Sequence, residues 1–155
     1  METAEAMRTA VLERLDGQDL FIAAAAVADY RPREVAGQKV KKDAPALTLE
    51  LIRNPDILAE VAARHPRPFV VGFAAETSDL RGNALAKLAR KGLDLIAAND
   101  VSAGRGIGRP TNALSVFWQG GERLLPEQPK ADLARALVDL ITERMKHGSA
   151  DPSTT

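Results

Sequence analysis

Residues 69–98 read FVVGFAAETSDLRGNALAKLARKGLDLIAA. The run from Phe69 to Ala75 is apolar throughout, the pattern of a strand buried on both faces of a parallel sheet. In Leu80 to Lys91, Leu80, Ala84 and Leu88 recur every four residues on one helical face, and Gly92 supplies a stop. Leu93 to Ala98 is a second buried strand. Buried strands alternating with helices predict an α/β layer with a largely parallel sheet.

The pattern continues upstream. Phe21 to Ala28 is a continuous apolar run that predicts another strand buried on both faces, with Asp29 and Tyr30 at its carboxyl end. Before it, Thr3 caps a helix with Met7, Val11 and Leu15 on one face, closed by Asp16-Gly17. Residues 31–46 combine prolines, a glycine and the basic cluster Lys39-Val40-Lys41-Lys42, which predicts a long mobile loop. Leu47 to Ile52 reads as a short alternating strand. Asn54-Pro55-Asp56 then opens a helix to about Arg64, with Asn54 as N-cap and Pro55 in the first turn. Free N–H groups at the start of that helix would form an anion site.

Downstream, residues 99–112 are a glycine-rich loop. Ala113 to Trp118 and Arg123 to Leu125 flank Gln119-Gly120-Gly121-Glu122 as a β-hairpin. Lys130 to Met145 is a last helix with Leu133, Leu137, Leu140 and Ile141 facing inward, and 147–155 form a polar, disordered tail. One domain, 1–146, is expected.

Composition narrows the function classes. Hydrophobic residues make up 45% and aromatics 4%, so the core is aliphatic and alanine-rich, which suits helices packed on a sheet. Lys+Arg and Asp+Glu are equal at 21, against a broad nucleic-acid surface. With no cysteine, neither disulfide nor thiol chemistry is available. His65 and His147 fit no metal-ligand spacing, so no protein metal site is expected. No apolar run is long enough for a bilayer and no basic leader opens the chain, so a cytoplasmic protein without membrane contact is expected.

In open α/β sheets ligands bind beyond the carboxyl ends of the strands. At one such end, Asp29 can accept hydrogen bonds from ribose hydroxyls or a base amine, although aspartate is equally common in turns. Lys39, Lys41 and Lys42 follow, able to close over a triphosphate as point charges or to serve as a solvated charge run. At another end, Gly72 and two alanines let backbone approach a ligand, and Phe73 can lie against a base; core packing accounts for the same residues. Lys87 and Lys91 share a helix face. Gly104-Arg105-Gly106-Ile107-Gly108 is not a dinucleotide fingerprint, since Pro110 follows instead of a helix.

Taken in order, Ala25-Ala26-Val27-Ala28-Asp29-Tyr30, the lysines at 39–42, Asn54-Pro55-Asp56-Ile57-Leu58, Gly72-Phe73-Ala74-Ala75-Glu76-Thr77, Lys87 with Lys91, and Leu93-Asp94-Leu95-Ile96 to Asn99-Asp100-Val101 resemble the phosphopantothenoylcysteine synthetase family over residues 3–146. The resemblance implies a Rossmann-like fold missing its first elements, namely a strand, a glycine-rich loop and a segment carrying the catalytic asparagine. It implies CTP-dependent ligation of 4′-phosphopantothenate to L-cysteine through an acyl-cytidylate, with Mg²⁺ sharing the triphosphate charge. Asp29, Lys39, Pro55, Asp56, Ile57, Leu58, Phe73, Lys87 and Lys91 fall on the family's CTP-binding positions. Lys39 and Ala26 fall on its catalytic ones, Ala26 as the small residue beside the intermediate. Gly106-Ile107 departs from a common Gly-Phe pair, whereas Asn112 matches.

A homodimer is implied too, with Val116 and Trp118 of the hairpin as one candidate surface, and a decarboxylase half is an expected partner. Two other readings compete. One is an inactive nucleotide-binding fragment, or an interaction module needing a partner to supply the missing half. The other is a nicotinamide-dependent oxidoreductase, disfavoured by the missing fingerprint.

Overall fold

The computed structural model describes residues 2–41, 46–102 and 108–148. The chain forms two compact units, Met1–Asp16 with Ala25–Ile57, and Gly17–Ala24 with Leu58–Thr155.

The second unit holds a five-stranded sheet in the order β1 (Leu20–Ala23), β4 (Phe69–Glu76), β5 (Leu95–Asp100), β6 (Thr111–Trp118), β7 (Gly121–Pro129). β1, β4 and β5 are parallel, with Ile22 beside Val71 and Val71 beside Leu95; β6 and β7 add antiparallel strands. This is the expected α/β, Rossmann-like arrangement with its hairpin. Side chains alternate between sheet faces. On one face Val71, Leu95, Ala97, Leu114 and Val116 join Leu133, Leu137, Leu140 and Ile141 of α4 (Lys130–Gly148) in one buried cluster. The four predicted inward residues of α4 are all in it. On the other, Gly72 meets Leu58 of α2 (Ile57–Ala62) and Leu93, and α3 (Leu80–Lys91) buries Ala84 and Leu88. A methyl at Gly72 would lie 2.8 Å from Leu93 Cδ1 and 3.1 Å from Leu58 Cδ2. Gly72 therefore makes room for core side chains, in keeping with the core-packing reading of its sequence context.

α3 has the predicted limits. Asp79 caps it by accepting from the Gly82 N–H at 3.2 Å. Gly92 closes it at φ +63°, a left-handed conformation that costs glycine little.

Several expectations need correction. The strand expected over Phe21 to Ala28 ends at Ala23, where the Ala24 N–H turns back to Ile22 O at 3.1 Å. Among the described residues β1 is at the sheet edge beside β4, and none of its residues is fully buried, with Ile22 37% exposed. The alanines that follow favour extended structure too weakly to prolong it. The helix after Thr3 keeps its cap, with Thr3 Oγ1 accepting from the Ala6 N–H at 3.1 Å, but as α1 it covers only Ala4–Leu12. The hairpin is longer than predicted and integral to the sheet: Val116 is fully buried and Trp118 packs on the core. Val116 is thus core, whereas Leu124 of β7 stays 67% exposed. α4 includes His147 and Gly148, both assigned to the tail; 149–155 lie outside the described residues.

In the first unit, β2 (Tyr30–Pro32) pairs antiparallel with β3 (Leu51–Arg53). The predicted loop therefore begins on a strand, and the strand predicted over Leu47 to Ile52 is confined to Leu51–Arg53. Leu47 and Leu49 are exposed.

Candidate functional site

The predicted site residues fall into one group in each unit. Ala26 and Asp29 are exposed on the segment entering β2, and Lys39 is exposed on the connection from β2 to β3. Lys42, Gly106 and Ile107 lie outside the described residues. Pro55 and Asp56 precede α2, and Ile57 opens it as a buried residue.

Asn54 is not the predicted N-cap. Its N–H donates to Asp29 O at 2.8 Å and its Nδ2 donates to Ala28 O at 2.7 Å. Its Oδ1 accepts from Arg31 at 2.9 Å, and the same Arg31 nitrogen donates to Arg53 O at 3.0 Å. Asn54 thus ties the segment carrying Ala26 and Asp29 to the one carrying Pro55 and Asp56. α2 has six residues, not the ten or so expected from Pro55 to Arg64, and it starts at Ile57.

Across the β2–β3 ribbon, Tyr30 stands opposite Arg53. The guanidinium of Arg53 is raised above its ordinary pKa, first by a hydrogen bond with the Tyr30 side chain and then by the charge of Tyr30, with a smaller contribution from Asp29. Asp29 therefore sits within the field of a cation that local sequence did not point to.

In the second unit Leu58 and Lys87 both reach β4, the strand that carries Phe73. Leu58 packs at Gly72, and Lys87 Nζ donates to the backbone oxygen of Phe73 at 2.7 Å. The Phe73 side chain is partly buried against the α4-side cluster, so part of its surface remains available. Lys91, one turn beyond Lys87 on α3, is partly exposed. At the end of β4, Asn83 Nδ2 donates to Glu76 Oε2 at 3.0 Å and to Ser78 O at 2.9 Å, which fixes the turn into α3.

The entry to β4 and β5 is fastened by Asp94. Its carboxylate accepts from both terminal nitrogens of Arg67 and, at 2.7 Å, from the Val70 N–H. The hydrogen bonds to Asp94 raise the Arg67 pKa against the effect of partial burial.

Sequence reasoning missed Arg31 and Asn54 as a linked pair. The available signal was an arginine and an asparagine, each followed by proline, which reads locally as turn chemistry. Their partners are 22–26 residues away and cannot be seen in local pattern.

Residues 1–145 match the family model described as the DNA/pantothenate metabolism flavoprotein C-terminal domain. The coenzyme A biosynthesis bifunctional protein CoaBC of Vibrio cholerae is 52% identical over 143 residues, covering 90% of this chain and 36% of that protein. The Escherichia coli K12 protein of the same name is 48% identical over 147 residues, covering 92% of this chain and again 36% of the relative. This chain thus spans about a third of the length of the curated relatives it matches. Among solved structures, the C-terminal domain of a coenzyme A biosynthesis bifunctional protein CoaBC superposes with a TM-score of 0.76 at 30% identity, covering 95% of this chain and 65% of that one. A DNA/pantothenate metabolism flavoprotein from Streptococcus pneumoniae shares the fold, with a TM-score of 0.70 at 20% identity. With nearly its whole length matched, and strands, helices and hairpin in the corresponding arrangement, the chain belongs to the DNA/pantothenate metabolism flavoprotein C-terminal domain family.

Proposed function

We propose that this chain carries the cytidine- and triphosphate-binding part of a cytoplasmic, homodimeric ligase of coenzyme A biosynthesis, which joins 4′-phosphopantothenate to L-cysteine at the expense of CTP. The observation that carries the reading is the bond from Lys87 Nζ to the Phe73 backbone oxygen, which brings a cation to the strand β4 beside the partly exposed Phe73, in a family whose relatives are named as coenzyme A biosynthesis proteins. Open α/β sheets bind ligands beyond the carboxyl ends of their strands.

In the first step a carboxylate oxygen of phosphopantothenate attacks the α-phosphorus of CTP. Pyrophosphate leaves and an acyl-cytidylate forms. In the second, the cysteine amine attacks the acyl carbon, CMP leaves, and the nitrogen gives up a proton as the amide forms. Lys39, Lys87 and Lys91 offset phosphate charge as point cations. Asp29 accepts from ribose or base, Phe73 presents its accessible surface to the base, and residues 55–58 contribute mainly backbone, since the Asp56 carboxylate would repel a phosphate. Ala26 leaves room beside the acyl group. Mg²⁺ arrives with the triphosphate as part of the substrate, the usual way this ion is held. A decarboxylase half is the expected companion activity, in keeping with the bifunctional names of the relatives.

Calorimetry with CTP and ATP, paired with pyrophosphate release in the presence of phosphopantothenate and cysteine, tests the reading. The expected result is binding that favours CTP and weakens in Lys87→Met and Lys91→Met, more at low salt than at high. No CTP binding at about millimolar concentration, the weak end of specific affinity, would refute it. The alternative reading is a nucleotide-binding module without the ligation chemistry. CTP binding without phosphopantothenate-dependent pyrophosphate release would select the module.

A further inference from the structure

Asn54 uses its backbone N–H, its side-chain donor and its side-chain acceptor at once, each toward the segment 28–31. It directly follows β3, and its partners Ala28 and Asp29 directly precede β2. The side chain therefore extends a ribbon of three residues per strand by further bonds at its open end. Two-stranded ribbons this short are marginal alone. Arg31 closes the arrangement, because one of its nitrogens spans Arg53 O and Asn54 Oδ1. The chain leaves the clamp on one side at Asp29 and on the other at Pro55, whose ring fixes φ and biases Asn54 toward extended backbone.

We propose that Asn54 and Arg31 are positioning residues of the nucleotide site: they hold Asp29 and the segment 55–57 in one frame. The proposal rests on the CTP reading above. It explains why asparagine in particular stands at 54. A helix cap needs only an acceptor, and aspartate serves as well. The clamp also needs the Nδ2 donor, and aspartate would set a carboxylate oxygen against the Ala28 carbonyl.

The test compares the parent chain with Asn54→Ala, Asn54→Asp, Arg31→Ala and Arg31→Ala/Asn54→Ala, by amide hydrogen exchange without nucleotide and by calorimetry with CTP. Asn54→Ala loses two side-chain bonds, and Asn54→Asp loses one and sets a carboxylate oxygen against the Ala28 carbonyl; at about a kcal/mol or less each, both should speed exchange at 28–31 and 51–56 by about tenfold and weaken CTP by about tenfold. Exchange in β4 and β5 should not change. The double variant should add little to Asn54→Ala, since both changes break one clamp. Should Asn54→Ala lack a cooperative melt, Arg31→Lys carries the same expectation at about threefold.

Unchanged exchange in the two segments overturns the clamp. So does an Asn54→Asp chain that behaves like the parent, which would mark a plain helix cap. Faster exchange with CTP affinity within about twofold of the parent, well under one hydrogen bond, overturns the positioning role. A parent chain that binds no CTP overturns the nucleotide reading and the positioning role with it. The exchange results then report separately whether the clamp exists.

Discussion

Replacing Asp94 with alanine should be among the more damaging single changes to the second unit. The Asp94 carboxylate accepts from the Val70 N–H at 2.7 Å and from Arg67 at both nitrogens, while its own N–H donates to Val70 O at 3.0 Å. Val70 is fully buried, so alanine at 94 leaves its N–H without a partner, at about 1–3 kcal/mol. The Arg67 and Asp94 side chains are 30% and 24% exposed, between a surface pair worth about 0–1 kcal/mol and a buried pair whose breaking costs about 3–5. About 1–2 kcal/mol is a fair share for that part, and the total is about 2–5 kcal/mol. For a chain of this size that lowers Tm by roughly 4–20 °C. Asp94→Asn keeps one acceptor and should cost about half as much. Urea unfolding of the parent, Asp94→Ala, Arg67→Ala and the double variant gives the energies and their coupling. An Asp94→Ala chain within about 0.5 kcal/mol of the parent, the range of an ordinary surface change, would refute the reasoning. Strict additivity of the two single changes would refute the pairing.

Gly72→Ala places a methyl 2.8 Å from Leu93 Cδ1 and 3.1 Å from Leu58 Cδ2, and should cost about 1–3 kcal/mol by overpacking, read by the same unfolding assay. The Glu143 carboxyl is held below its usual range by the hydrogen bond and charge of Arg123, at 2.8 and 3.1 Å. A depressed carboxylate pKa stabilises above the unfolded value and loses that contribution as pH falls through the folded one. The Tm advantage of the parent over Glu143→Gln should therefore be present at neutral pH and vanish on acidification below about pH 4, the ordinary glutamate range. Lys87→Met removes the bond to Phe73 O as well as a cation. It should lower stability by about 1 kcal/mol and weaken CTP about tenfold at low salt, whereas Lys39→Ala should weaken CTP with little change in Tm.

Local pattern was sufficient where an element's identity depends on its own residues. The stretch 69–98 announced strand, helix and strand because its apolar spacing and the stop at Gly92 both act within a few residues. The four buried positions of α4 were legible for the same reason. The order of short motifs was enough to point to the family. Contacts between distant segments decided the rest. β1 stops at Ala23, where the Ala24 N–H turns back to Ile22 O, although β4 beside it continues to Glu76. Val116 looks like a surface residue of a lone hairpin and is core once β6 pairs with β5 and α4 covers that face. Asn54, a plausible cap by sequence, became a clamp when the chain brought Ala28, Asp29 and Arg31 to its side. A hydrogen bond is short and directional, so its partner is determined by where tertiary structure sets the second group, and the local sequence around Asn54 carries no record of it.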